Sequence, residues 1–188
     1  MLERFYPDNE IESAYALEYE ALYSRGYRGI IFDIDNTLVP HGAPADRRAE
    51  DLFARLHACG FRTLLLSNNK EPRVKPFAEV VHSSYIFKAG KPGVQGYVAA
   101  MQKMGTAPDN TLFVGDQLFT DVWGAKKAGI VTYLVKPIHP KEEIQIVLKR
   151  KLEKIVLYFF HRSRKNAAGR DKAEPRRLTE KGGTENDN

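Results

Sequence analysis

The sequence predicts a doubly wound α/β domain, in which one parallel sheet carries helices on both faces to make three layers. Three observations point to it. Apolar runs of strand length recur at 29–34, 63–66, 85–87, 111–114 and 132–135, with helix-like stretches between most of them. Two runs, "GIIF" and "TLLL", are apolar throughout, as suits strands buried on both faces. Polar and ionisable side chains gather directly after four of the strands, at the edge where such sheets bind ligands.

Taken in order, 1–27 forms an N-terminal unit. Its stretch 11–24, "IESAYALEYEALYS", has tyrosines four apart and predicts one helix packed on the domain. The core spans 28–140. There, 46–58 carries Leu52, Phe53 and Leu56 on one helical face and stops at Gly60; 72–82 carries Val74, Phe77, Val80 and Val81. A third helix, 94–104, carries Val94, Tyr97, Val98 and Met101 and stops at Gly105, and a fourth, 121–128, stops at Gly129. Beyond the core, 141–162 reads as a basic amphipathic helix. Ile144, Val147, Leu152, Ile155 and Phe159 follow helical spacing, opposite Lys149, Arg150, Lys151 and Lys154. From 163 to 188 the chain is polar and poor in apolar residues, a composition that predicts disorder.

Hydrophobic residues are 43% of the 188 and charged residues 28%, a globular mixture sufficient for one core with extensions. No apolar run approaches the ~18 residues of a membrane span. The start, "MLERFYPDNE", lacks the basic-then-apolar layout of a secretory signal. Cys59 is the single cysteine, which excludes an internal disulfide and agrees with a reducing compartment. Its place before Gly60 suggests a packing role. The expected location is the cytoplasm. The net charge of +5 is uneven: residues 149–188 hold 12 Lys/Arg against 6 Asp/Glu, so the body is near neutral and the basic excess is terminal.

Asp33 and Asp35 end the greasy stretch "IIFDIDNTLV". Residues i and i+2 of an extended chain point the same way, so the two like charges need a counter-charge. Oxygen donors with no histidine or cysteine beside them favour Mg²⁺ over zinc, and Asp116, after the fourth strand, adds a third carboxylate. Mg²⁺ commonly shares its ligand sphere with phosphate, which points to a phosphorylated substrate. Ser67 after the second strand and Lys91 after the third supply a neutral donor and a positive charge for a transferring phosphoryl group. Other readings stay open. Ser67 and Asp121 have capping roles available to them, Lys88 competes with Lys91, and Asn36, Asn68 and Asn69 are pocket or turn residues.

"DIDNT" (33–37), Ser67 after "TLLL", "KP" (91–92) and "GDQLFTD" (115–121) together resemble, in order, the four motifs of the haloacid dehalogenase-like phosphatases, over about 28–136. The resemblance implies that Asp33 is a nucleophile forming an aspartyl-phosphate and that Asp35 is its general acid/base. It implies substrate contacts from Thr37, Ser67, Asn68 and Lys91, the proline after Lys91 selecting it over Lys88. Mg²⁺ would be held by Asp33, Asp116 and the main-chain carbonyl of Asp35, with Asp121 orienting that set.

Larger members of the superfamily insert a cap domain after the first or second motif. Here 31 residues separate Asp35 from Ser67 and 23 separate Ser67 from Lys91, room for one helix each. A capless, open site is expected, suited to a large or surface-attached substrate. "DIDNTLVPHG", "SNN", "KAGKP" and "GDQLFTDVWGAKKAG" are most similar to the phosphatidylglycerophosphate phosphatase-like group, which implies a lipid head group as substrate. Peripheral membrane contact through 141–165, where "IVLYFFHRSRK" sets aromatics beside arginines, agrees with this. A nucleic-acid partner is not expected, and oligomeric state is not legible. Two alternatives stand: a phosphatase of soluble sugar or nucleotide phosphates, and a non-catalytic binding protein, against which the paired aspartates argue.

Overall fold

A computed structural model describes residues 2–139 and 152–165. Among them, six strands make one sheet: β1 (Asn9–Ile11), β2 (Gly29–Phe32), β3 (Arg62–Leu66), β4 (Ser84–Ile86), β5 (Thr111–Gly115) and β6 (Val131–Val135). Every pairing is parallel and the order is β1-β6-β5-β2-β3-β4. The chain lays β1 at one edge, crosses to the middle at β2, steps outward through β3 and β4, then returns to the other side of β2 for β5 and for β6, which pairs with β1. The order therefore reverses between β2 and β5, where the crevice at the carboxyl ends of the strands lies.

Helices α1 (Tyr19–Ser24), α2 (Arg47–Cys59) and α3 (Glu71–Val80) cover one face, and α4 (Gln95–Met104) and α5 (Trp123–Lys127) the other. The period of two along each strand sorts the core into two. Ile30, Phe32, Leu65, Leu112 and Val114 pack with Phe53, Leu56, Val74 and Phe77. Ile31, Leu64, Leu66 and Phe113 pack with Tyr97, Ala100, Met101 and Ala125. Helix α2 starts where Asp46 accepts a hydrogen bond from the Ala49 amide at 2.8 Å and ends at left-handed Gly60, φ 101°.

The N-terminal segment departs from the expected single helix over 11–24. Ile11 ends strand β1, the Ser13 hydroxyl caps a 3₁₀ turn over Ala14–Ala16, and only Tyr19–Ser24 is α-helical. The cause is a long-range competitor. Asp8 accepts from the amide and hydroxyl of Thr132 at 2.9 and 2.8 Å and draws the following residues into the sheet beside β6. The tyrosines still pack on the core, Tyr19 fully buried and Tyr15 and Tyr23 partly so.

Of the expected helix at 141–162, residues up to 151 lie outside the described set. Residues 152–165, here α6, are helical and dock by Glu153, Val156 and Phe160. Glu153 Oε1 accepts from the Leu118 amide at 2.9 Å, and Val156 joins Leu118, Val122 and Leu134 in a small apolar cluster. Residues 163–165 continue this helix, although disorder was expected from 163; the remaining tail lies outside the described residues.

Phe53 is wholly buried, its ring 5.2 Å from that of Phe32 on the central strand. Phe53→Ala is expected to lower stability by about 3–5 kcal/mol, read as a reduced midpoint in chemical denaturation.

Candidate active site

The four side chains that carry most of the charge come from three strand ends. Asp33 follows β2, Lys91 follows β4, and Asp116 and Asp121 follow β5; all four are buried. Lys91 Nζ donates to Asp33 Oδ1 at 2.6 Å and to Asp121 Oδ1 at 2.7 Å. Asp33, Asp116 and Asp121 each offer an oxygen within 4.8 Å of the others. Three carboxylates around one ammonium leave two surplus negative charges in a desolvated space. All-oxygen donors with that surplus fit a hard divalent cation.

Local backbone geometry sets this arrangement. Asn36 takes the left-handed conformation, φ 64°, which asparagine tolerates, and turns the chain after Asp35 so that its amide meets the Val39 carbonyl at 2.7 Å. Thr37 Oγ1 faces Asp116 Oδ1 at 3.5 Å. Beyond β5 the chain forms a π-helical turn, Leu118–Val122, before α5. Such widened turns collect at functional sites. Here it swings Asp121 inward until Oδ2 accepts from the Gln117 amide at 3.1 Å. Gly115 lets this happen, since a Cβ there would come within 2.5 Å of Asp121 Oδ2.

Ser67 is buried, and its Oγ accepts from the Asn69 amide at 3.1 Å while keeping its own proton to donate. The Asn68 carboxamide embraces the main chain of Lys91, donating to its carbonyl at 3.0 Å and accepting from its amide at 2.8 Å. Asn68 thus acts on the site by holding Lys91. Asp35 lies apart from the three-carboxylate group. Its Oδ1 accepts from the Gly42 amide at 2.7 Å and from Arg73 Nη2 at 2.8 Å, its Oδ2 from Asn69 Nδ2 at 2.7 Å. The Asp35 carboxylate, expected in the metal set, is thus turned to Arg73, whereas Asp121, expected to stand behind that set, is within it. Arg73 was not singled out from sequence; a charged residue on a helix usually marks a solvated face. Lys88 takes a left-handed conformation and is exposed.

Burial pushes the Asp33 carboxyl up to about 7, with repulsion from Asp121 and Asp35 adding to it and Lys91 opposing. For Lys91, burial works against the charge, but Asp121 and Asp33 outweigh it and raise its pKa further. The chain between Asp35 and Ser67 forms only a loop, α2 and β3, and that between Ser67 and Lys91 only α3 and β4, so neither interval holds an inserted domain.

Because Asp33 is protonated more readily in the folded chain than at its ordinary value of 3.8, metal-free protein should lose stability as pH rises from about 4 through 7. A divalent cation competes with that proton. Mg²⁺ should therefore raise the melting temperature more at pH 8 than at pH 6, by several degrees at most, and Asp116→Asn should abolish most of the shift; differential scanning fluorimetry reads both.

A model of the haloacid dehalogenase-like hydrolases matches residues 43–129. The "probable phosphatase YqeG" of Bacillus subtilis is 34% identical over 159 residues, 84% of this chain and 92% of that protein. The chloroplastic phosphatidylglycerophosphate phosphatase 1 of Chlamydomonas reinhardtii is 28% identical over 149 residues, 73% of this chain but 55% of that longer protein. Among solved structures, the cobalt-bound deoxy-D-mannose-octulosonate 8-phosphate phosphatase of Haemophilus influenzae overlays at 15% identity and a TM-score of 0.46, covering 57% of this chain and 67% of that one. With a relative this similar over nearly its whole length and four motifs meeting at one sheet edge, the chain belongs to the haloacid dehalogenase-like hydrolase family and is a phosphatase.

Proposed function

We propose that this phosphatase depends on Mg²⁺, forms an aspartyl-phosphate on Asp33, and removes the terminal phosphate of phosphatidylglycerophosphate at a membrane surface. The observation that carries the chemistry is the grouping of Asp33, Asp116 and Asp121 about Lys91 at the carboxyl edge of the sheet. In the first step an Asp33 oxygen bonds to phosphorus and the bond to the alcohol oxygen breaks, a proton from Asp35 going to the leaving oxygen. Water then bonds to phosphorus, returns a proton to Asp35, and the Asp33 oxygen departs. Asp35 serves both steps by turning from Arg73 toward the leaving group. Lys91 and the Ser67 hydroxyl face the charge on the phosphoryl oxygens. Held by Asp33, Asp116 and the Asp35 carbonyl, with Asp121 beside them, Mg²⁺ would add positive charge to those oxygens.

The lipid reading is supported by the relatives and by α6. No helix among the described residues is long and apolar enough to cross a membrane. Yet α6 turns Leu152, Ile155, Tyr158 and Phe159 to solvent at 54, 54, 58 and 42% exposure, in a region whose charge is strongly positive. Exposed apolar side chains among lysines and arginines suit an anionic lipid surface.

Phosphate release from phosphatidylglycerophosphate in mixed micelles, with and without Mg²⁺, tests the reading. Turnover should need the metal and fall on the order of 10³-fold or more in Asp33→Asn, and acid-quenched wild type should carry one phosphoryl group by mass. Robust turnover of soluble sugar or nucleotide phosphates with none of the lipid would overturn it. Leu152→Glu combined with Ile155→Glu should cut sedimentation with anionic vesicles several-fold.

A further inference from the structure

Beneath α6 runs a cleft of about 330 Å³. At one end it is walled by Asp116 and Leu118, and at the other by Glu10, Ile11 and His161. Between these ends β6 and the residues after it contribute Leu134, Val135 and Pro137, and α6 contributes Glu153, Lys154 and Leu157. The direction of this cleft follows from the topology. Asp116 follows β5, Val135 ends β6, and Ile11 ends β1, in register with Val135. These three strands are adjacent, so the cleft leads across two strand spacings, roughly 10 Å, away from the phosphate position along the same sheet edge. Helix α6 lies along that line. Its Glu153 is bonded beside Asp116, at the Leu118 amide, and its His161 pairs with Glu10 at 2.7 Å. Eight residues of helix separate those two anchors, about 12 Å, which agrees with the strand count.

A cleft whose exposed walls are mostly apolar, that starts beside Asp116 and runs beneath α6, suits a molecule with a phosphate at one end and hydrocarbon further on. We infer that this cleft is the subsite for the hydrocarbon portion of an amphiphilic phosphomonoester, entered while its phosphate lies on Asp33. The inference rests on the lipid reading above and adds where the lipid goes. The outer face of α6 meets the membrane, and its inner face, with Leu157, covers the chain of a single extracted molecule. The glycerol and phosphodiester that separate the terminal phosphate from the acyl chains take the near end, past Leu118 and Lys154, and Val135, Ile11 and Leu157 replace the bilayer around the first methylenes beyond them.

The test uses phosphatidylglycerophosphates with acyl chains of four, six and eight carbons, each as dissolved monomer, so that no membrane surface contributes. In the wild-type full chain, kcat/KM should rise with chain length, by up to about fourfold for each methylene that enters the cleft. Leu157→Trp fills the cleft from above and should flatten that rise, raising KM for the eight-carbon lipid at least tenfold relative to the four-carbon one. Ile11→Trp, from the opposite wall, provides the same reading if Leu157→Trp melts well below wild type. A chain-length dependence absent from wild type, or undiminished in a folded cleft-filling variant, overturns the subsite. Turnover of all three lipids at equal efficiency would do so while leaving the lipid reading intact. Turnover of none of them beside active hydrolysis of a soluble phosphate would remove both.

Discussion

One buried ammonium holds the site together. Lys91 bridges Asp33 and Asp121, carboxylates delivered by different strands, and its own main chain is clasped by Asn68 from a third. Desolvated charges of this kind are costly unless paired, and removing one partner leaves the others stranded. The pairing is deliberately incomplete: one positive charge does not balance three carboxylates. Burial raises the Asp33 pKa, Lys91 pulls it back, and Asp121 and Asp35 add to the rise; the carboxylate oxygens left over are grouped closely enough to suit a divalent cation. The core exists to hold these groups in place. Ile31, Phe113 and Tyr97 pack behind them, and the Tyr97 hydroxyl donates to the Thr120 and Asp121 carbonyls at 2.9 and 3.2 Å.

The outer half of the site is built differently. Asp35 is held by Arg73, Asn69 and a main-chain amide, all of them on loops or helix rather than on the sheet. The two aspartates of one short motif thus sit in contrasting surroundings: Asp33 is paired with a buried lysine, while Asp35 is held by an arginine, an asparagine and a main-chain amide.

Much of this was legible in the sequence because it is written locally. Strands β2, β3 and β5 are continuous apolar runs, and the functional side chains follow strand ends at the place where a parallel sheet binds ligands. What escaped depends on distant partners. Strand β1 is three residues, one of them exposed, fixed by Asp8 meeting Thr132 far along the chain. Asp121 enters the carboxylate group through a π-helical turn, which no hydrophobic period encodes. Arg73 reads as an ordinary helix-surface charge until Asp35 is seen to fold over it. In α6 the helical period was plain, yet the stripe of Leu152, Ile155 and Phe159 faces outward and the intervening Glu153, Val156 and Phe160 face the core.

The parallel order of the sheet also governs when in the life of the chain the centre can exist. Strand β2 must await β5, some eighty residues later, before Asp33 and Asp116 are neighbours, and Asn9 pairs with Tyr133 across 124 residues. Contacts so remote in sequence are slow to form. A nascent chain leaving the ribosome therefore carries Asp33 long before it carries Asp116, and the two become neighbours only once β5 has been made and has paired with β2.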